Sequence, residues 1–154
     1  MGFYQFKRTQ YLECPTSELW AFISNPTNLK KITPKEMGFD ITSGEIPEKM
    51  YRGMIISYTV APLLGIKTTW VTEITQLEEN RYFIDEQRMG PYKIWHHQHF
   101  IEPSGTGTLM TDIISYQPPF GFLGALANRI IIKRKLNQIF DYRAKVLTTR
   151  YPNS

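Results

Sequence analysis

The residues of this chain most able to do chemistry lie in three strand-like segments between Tyr82 and Tyr116. One set of alternate positions holds Phe83, Asp85 and Gln87, then Trp95, His97, His99 and Ile101, then Met110, Asp112, Ile114 and Tyr116. Side chains alternate across a strand, so each group shares one face of a sheet. A plain core face would be Val, Ile, Leu and Phe, whereas buried histidines and carboxylates need partners. A concave surface of mixed aromatic and polar character is what a ligand pocket requires.

Three chemistries fit those residue types. His97 and His99 stand at i and i+2 and point the same way, a spacing that can chelate a metal together with Asp85 or Asp112. The plainer expectation is that no metal is held. The histidines then hydrogen-bond the two acids and Tyr116 as a polar floor that orients a ligand. An imidazole between carboxylates can also move protons in a cyclisation or dehydration, and the candidates are His97, Asp112 and Asp85. Two flanking carboxylates are expected to favour the imidazolium form. Nucleophilic catalysis is poorly supported, because no serine sits in a nucleophile-elbow pattern and Cys14 lies near the end of the first strand.

The turns suggest a pairing. Gly90-Pro91-Tyr92 and Pro103-Ser104-Gly105-Thr106-Gly107 are Gly/Pro punctuation of the hairpin kind. A turn centred on Pro91 sets Asp85 opposite His97 and Gln87 opposite Trp95. A turn near Gly105 sets His97 opposite Asp112 and His99 opposite Met110. A slip of two residues would keep the face and change the partners.

The elements that must position these residues follow from periodicity. Residues 3–13 alternate as a first strand, and Pro15-Thr16-Ser17-Glu18 starts a helix with Thr16 or Ser17 as its cap. Asn25-Pro26 stops that helix, and a second short one runs from about Thr27 to Ile32. Strands are expected near Phe39–Ser43, Gly53–Val60, Lys67–Leu77, Tyr82–Met89, Tyr92–Glu102 and Thr108–Gln117. From Phe122 to about Tyr151 the spacing is helical, through Leu126, Ile130, Leu136, Phe140, Arg143 and Leu147. The fold class is therefore α+β. A twisted antiparallel sheet of seven strands curls, and only the last helix is long enough to cover its concave face.

Arg143 interrupts the apolar stripe of that helix. Its stem either snorkels to an edge or its guanidinium reaches an aspartate or an anionic ligand. Trp70, Trp95 and Phe83 are expected to wall the cavity, with Thr72 and Ile74 beside Trp70. In a meander the turns alternate between the sheet's two ends. The apolar loops Pro62-Leu63-Leu64-Gly65, Gly90-Pro91-Tyr92 and Pro118–Gly124 therefore gather at one end, as a plug or as a cavity mouth.

Composition bounds the rest. The 154 residues are read as one domain, 1–154, with 42% hydrophobic and 21% charged residues, values of a globular chain. A single cysteine excludes an internal disulfide and a cysteine-based metal cluster. No run approaches about 18 apolar residues, so neither a signal peptide nor a membrane span is expected, and the cytoplasm is the default location. The net charge of +4 concentrates between Arg129 and Arg150. That region reads as a solvated helix face or as attraction to anionic lipid; nucleic acid is not expected, since no binding motif accompanies the charge.

Taken together, Phe83-Ile84-Asp85-Glu86-Gln87, Gly90-Pro91-Tyr92, Trp95-His96-His97-Gln98-His99-Phe100 and Met110-Thr111-Asp112-Ile113-Ile114-Ser115-Tyr116, leading into Pro119-Phe120-Gly121, resemble the SRPBCC superfamily. That superfamily includes START lipid-transfer domains, polyketide cyclases and birch-pollen-type allergens. The likeness is to a bacterial subgroup of small stand-alone proteins, loosely labelled cell-division inhibitor or cyclase/dehydrase-like. It implies the helix-grip fold and a cavity between sheet and C-terminal helix, but no particular reaction. The expected ligand is a small or medium hydrophobic molecule with a polar group, or a lipid. Asp85, Gln87, His97, His99, Asp112, Tyr116 and Arg143 would meet its polar part; Trp70, Trp95 and Met110 would wall its apolar part. A cyclase- or dehydratase-type enzyme, and a lipid or quinone carrier at a membrane surface, are the alternatives. No cofactor is expected, and the chain is read as a monomer or weak dimer.

Overall fold

A computed structural model describes residues 2–152 of the chain. Met1, Asn153 and Ser154, the ends of the expected domain, lie outside the described residues. Strand β1 (Tyr4–Leu12) is followed by helix α1 (Thr16–Ile23) and two short 3-10 turns, Pro26–Ile32 and Lys35–Met37. Strands β2 (Asp40–Ile41), β3 (Ile55–Leu63), β4 (Ile66–Glu78), β5 (Tyr82–Met89), β6 (Ile94–Ser104) and β7 (Gly107–Gln117) come next. The chain closes with α2 (Gly121–Ala127), a π-helical turn (Asn128–Ile132) and α3 (Lys133–Arg150).

The seven strands form one antiparallel sheet in the order β1-β7-β6-β5-β4-β3-β2. The expected architecture is thus present: a curved sheet around a long C-terminal helix, with helical segments after the first strand. Leu136, Phe140, Arg143 and Leu147 form the buried stripe of α3, at spacings of four, three and four. Polar side chains on β1 hold the helix in place. Arg8 reaches Asn137 and Asp141, and Gln10 donates to the Ala144 carbonyl at 2.9 Å.

Several local expectations differ from what is found. Pro15, not Thr16 or Ser17, occupies the N-cap of α1, and no side chain caps it. Thr16 instead bonds Thr108 across to β7 at 3.1 Å. The helix expected at Thr27–Ile32 is a 3-10 turn capped by Asn25, whose Oδ1 accepts from Thr27 N at 3.0 Å.

The β6–β7 register is shifted by two residues from the expected one. Pro103 and Ser104 belong to β6, and the hairpin closes through Gly105 and Thr106 alone, with Ser104 opposite Gly107. Gly105 takes φ +55°, which a tight two-residue turn demands and glycine adopts without strain. His97 therefore faces Ile114, His99 faces Asp112 and Ile101 faces Met110. In the β5–β6 hairpin Asp85 does stand opposite His97. The shared face survives because a shift of two preserves side-chain direction.

Candidate functional site

Alternation along β3 to β7 places aromatic and aliphatic side chains on the concave face, and α3 lies across it. The cavity between them has a volume of about 160 Å³. Trp70, Thr72 and Ile74 from β4, Phe83 and Asp85 from β5, and Trp95, His97 and His99 from β6 line it, as do Met110 and Ile114 from β7. Phe140 and Arg143 close it from α3. Trp70 packs edge-on to Trp95 with ring centroids 5.1 Å apart, and the Phe83 ring stacks on His99 at 4.0 Å.

Three of the expected polar contacts are elsewhere. Gln87 donates from Nε2 to the Tyr92 carbonyl and accepts from Tyr92 N, bracing the β5–β6 turn. Tyr116 donates to Asn128 Oδ1 at 2.7 Å, tying β7 to the π-helical turn rather than to the histidines. Burial, then the neighbouring Tyr4, pushes the Tyr116 pKa up to about 12. Asp112 lies behind the histidines, buried and away from the cavity lining.

The four central groups interlock. Asp112 Oδ1 is 2.8 Å from His97 Nε2 and 3.0 Å from His99 Nδ1. Asp85 Oδ2 is 2.7 Å from His99 Nε2 and 3.7 Å from His97 Nδ1. The two imidazoles lie close together, ring centroids 3.7 Å apart and planes tilted by 33°. Arg143 is buried, its Nη1 3.8 Å from Asp112 Oδ1 and its guanidinium 4.7 Å over the Phe140 ring. It thus reaches inward and does not snorkel.

The two adjoining, buried imidazoles are shifted in opposite directions. Burial, then the charge of His99, pulls His97 down to about 4, outweighing its bonds to the carboxylates. Burial also depresses His99, but hydrogen bonds and charge from both Asp112 and Asp85 overcome it and hold its pKa above the ordinary value. The expectation that flanking acids would charge His97 is corrected: His97 is held low, and it is the protonated form of His99 that the two acids favour. Burial tends to raise both carboxyls, yet hydrogen bonds and charge from the histidines outweigh it, lowering Asp85 and holding Asp112 well below the usual range.

This arrangement can do two things. It presents a neutral imidazole, oriented by a carboxylate, to an apolar chamber, the relation that positions a general base. It also lines the chamber with a carboxylate, two imidazoles and a guanidinium. Among the described residues, two buried donors, Arg143 Nε and Trp70 Nε1, have no acceptor.

Sequence reasoning missed Tyr58, Tyr92 and the first 3-10 turn. Tyr58 lines the cavity and bonds Thr72 at 3.4 Å. Its signal was the alternation Ile56, Tyr58, Val60. Leu29 and Ile32 also line the chamber, and their irregular turn has no periodicity to reveal it. Of the three apolar loops, the one around Tyr92 turns that ring inward as a plug. The other two display theirs: Leu64 is 77% exposed, Phe120 78% and Phe122 81%. On the convex face His96 pairs with Glu86 at 2.6 Å.

Solved structures share this architecture. A protein from Thermus thermophilus is 17% identical, with a TM-score of 0.73 over 96% of this chain and 97% of that one. A Chromobacterium violaceum protein is 14% identical, with a TM-score of 0.71 over 97% and 99%. The ginseng major latex-like protein 151 from Panax ginseng is 13% identical, with a TM-score of 0.70 over 98% and 99%. At such identities the likeness concerns the fold. No curated protein matches the chain in sequence. Residues 12–140 match the family described as polyketide cyclase / dehydrase and lipid transport, and this chain belongs to that family within the SRPBCC superfamily.

Proposed function

We propose that the chain binds a small hydrophobic molecule whose polar end carries acceptor oxygens. One observation carries this reading: Arg143 Nε and Trp70 Nε1 are buried at the cavity wall with no acceptor among the described residues. A buried donor left unpaired costs roughly 1–3 kcal/mol, so a site that keeps two of them is suited to a ligand that satisfies them. The remaining walls are aromatic and aliphatic, which supports an apolar body for the ligand.

Size narrows the class. Drug-sized sites run from roughly 300 to 1,000 Å³, whereas an apolar cavity of about 150 Å³ accommodates benzene. The chamber of about 160 Å³ thus admits a group near the size of one aromatic ring. A longer tail would leave past Pro62, Lys135 and Ile139, which lie along the same cavity wall.

Native mass spectrometry of gently purified, chelator-treated protein, with extraction of any bound species, tests the reading. A reproducible organic mass that is lost in Trp70→Phe and Arg143→Met supports it. A clean mass, together with no movement of the Trp70 indole N–H resonance on adding phenols or aromatic carboxylic acids, removes it.

A second reading, delivery of the ligand at an anionic membrane surface, has its own support. Phe120, Phe122, Leu123, Leu126 and Ile130 are exposed on the α2 side of the cavity end, and Arg129, Lys133 and Arg134 are exposed beside them. Apolar side chains flanked by basic ones suit an interfacial segment. No helix is long and apolar enough to cross a membrane among the described residues.

A further inference from the structure

We infer that Asp85, His97 and His99 form a binding site for one divalent first-row metal ion, open to the cavity. One donor atom from each of the three residues lies within 4.8 Å of the other two. Two histidines at i and i+2 on β6 share a face, and the β5–β6 pairing sets Asp85 directly opposite His97.

The argument rests on which ring nitrogens are already taken. A neutral imidazole has one N–H and one lone pair. A carboxylate only accepts, so His97 donates from Nε2 to Asp112 Oδ1 at 2.8 Å, which leaves its lone pair at Nδ1. His99 Nδ1 is 3.0 Å from the same oxygen. A cation that displaces the His99 proton facing Asp85 leaves the donation from Nδ1 to Asp112 in place and opens a lone pair at Nε2. Both lone pairs then belong to the nitrogens beside Asp85 Oδ2, at 3.7 Å from His97 Nδ1 and 2.7 Å from His99 Nε2. The two rings use opposite tautomers, and one carboxylate selects both.

Metal bonds of about 2.0–2.2 Å place adjacent donor atoms roughly 3.0–3.5 Å apart. The two distances from Asp85 Oδ2 bracket that range, and no two of the three donor atoms are more than 4.8 Å apart. Asp112 takes the part of the outer carboxylate that orients ligating histidines and raises their basicity. Two imidazoles with one carboxylate, and no sulfur, suit Fe²⁺, Co²⁺ or Zn²⁺ rather than Mg²⁺ or Ca²⁺. Asp85, His97 and His99 line the cavity while Asp112 does not, so the open coordination positions face the chamber. Arg143 lies 3.8 Å from Asp112, and its charge is felt at Asp85 as well.

The inference reaches beyond the ligand-binding reading and does not need it, because the cation is titrated with no organic molecule present. Chelator-treated protein is titrated with Co²⁺, followed by visible absorption, and with Zn²⁺, followed by calorimetry. One ion per chain is expected. His97→Ala, His99→Ala and Asp85→Ala should each weaken binding at least about 100-fold, and Asp112→Asn about 10- to 100-fold. His96→Ala, on the convex face, should leave affinity unchanged. Should the alanine variants unfold, the native protein still decides: Zn²⁺ must raise its melting temperature and shift the ring resonances of His97 and His99. Absence of saturable binding, or loss in His96→Ala with retention in His97→Ala, overturns the site.

Discussion

Asp112 on β7 and Arg143 on α3 approach to 3.8 Å in the interior, and they are not equally committed to each other. Asp112 Oδ1 contacts two histidines as well, whereas Arg143 keeps Nε unpartnered at the cavity. Breaking a buried charge network by removing a member with no other compensation costs about 3–5 kcal/mol. Asp112→Asn should therefore lower the unfolding free energy by that amount. Arg143→Met retains stem volume and packing, and it should cost no more than about 1.5 kcal/mol. Urea denaturation of both variants checks the asymmetry. Equal losses would make Arg143 a structural counter-ion and not a group reserved for a ligand.

The midpoints of the histidine pair should be displaced in opposite directions in metal-free protein. His97, held down to about 4, should remain neutral in NMR titrations well below the ordinary histidine midpoint, while His99 should stay protonated above it. The signs for stability differ accordingly. A depressed histidine contributes stability that is full above its unfolded pKa and is lost as pH falls through the folded value. For His97 that loss runs from about 6.5 down to about 4. His99, raised, contributes fully below about 6.5 and loses that contribution as pH rises through its folded value. Asp112, lowered, contributes above about 3.8 and loses its share under stronger acid. Stability should thus be greatest near pH 6.5, decline as pH falls towards about 4 with the loss of the His97 contribution, and decline further below about 3.8 as Asp112 loses its share. A single shared midpoint near the ordinary histidine value would overturn this picture.

The face was legible in the sequence and the partners were not, for a physical reason. Period-two alternation assigns Asp85, His97, His99 and Asp112 to one side whatever the register. Register depends on turn length, and Pro103 reads as a turn residue although it sits within β6, opposite Thr108. That misplacement by two residues moved Asp112 from beside His99 to beside His97. In the event Asp112 reaches both rings, a diagonal contact that strand pairing alone does not express. The long helix was legible from its apolar stripe, with Arg143 visible as the exception. The π-helical turn at Asn128–Ile132 was not, since Ile130 and Ile132 continue an apparently helical pattern. The role of Tyr116 was lost with it, because its partner Asn128 belongs to that turn.

Gly124 should be sensitive to the smallest change. A Cβ there would run into the carbonyl oxygen of Pro119, a backbone atom with little freedom to move. Gly124→Ala should therefore displace α2 from the β7–α2 connection while leaving the sheet intact. Hydrogen exchange is the suitable readout: amides of 121–132 should lose protection, and those of β6 and β7 should keep it. Unchanged protection in 121–132 would show that α2 is held by contacts other than this close approach.

Membrane docking, if it is how the ligand is delivered, must use both the apolar and the basic parts of the cavity end. Phe122 is 81% exposed and Leu123 66%, so neither contributes much to the core. Burying such side chains in the acyl boundary is worth about 1.5–3 kcal/mol each. Phe122→Ser should accordingly weaken binding to anionic phosphatidylserine-containing vesicles by about tenfold or more, with little change in melting temperature. Replacing Arg129, Lys133 and Arg134 by glutamine should weaken binding further and flatten its dependence on salt, because exposed charges are screened beyond about 10 Å at 0.1 M ionic strength. Cosedimentation with vesicles measures both effects. Binding that survives both sets of substitutions would place the contact elsewhere, and the absence of binding by the unaltered chain would leave the exposed apolar residues without a membrane role.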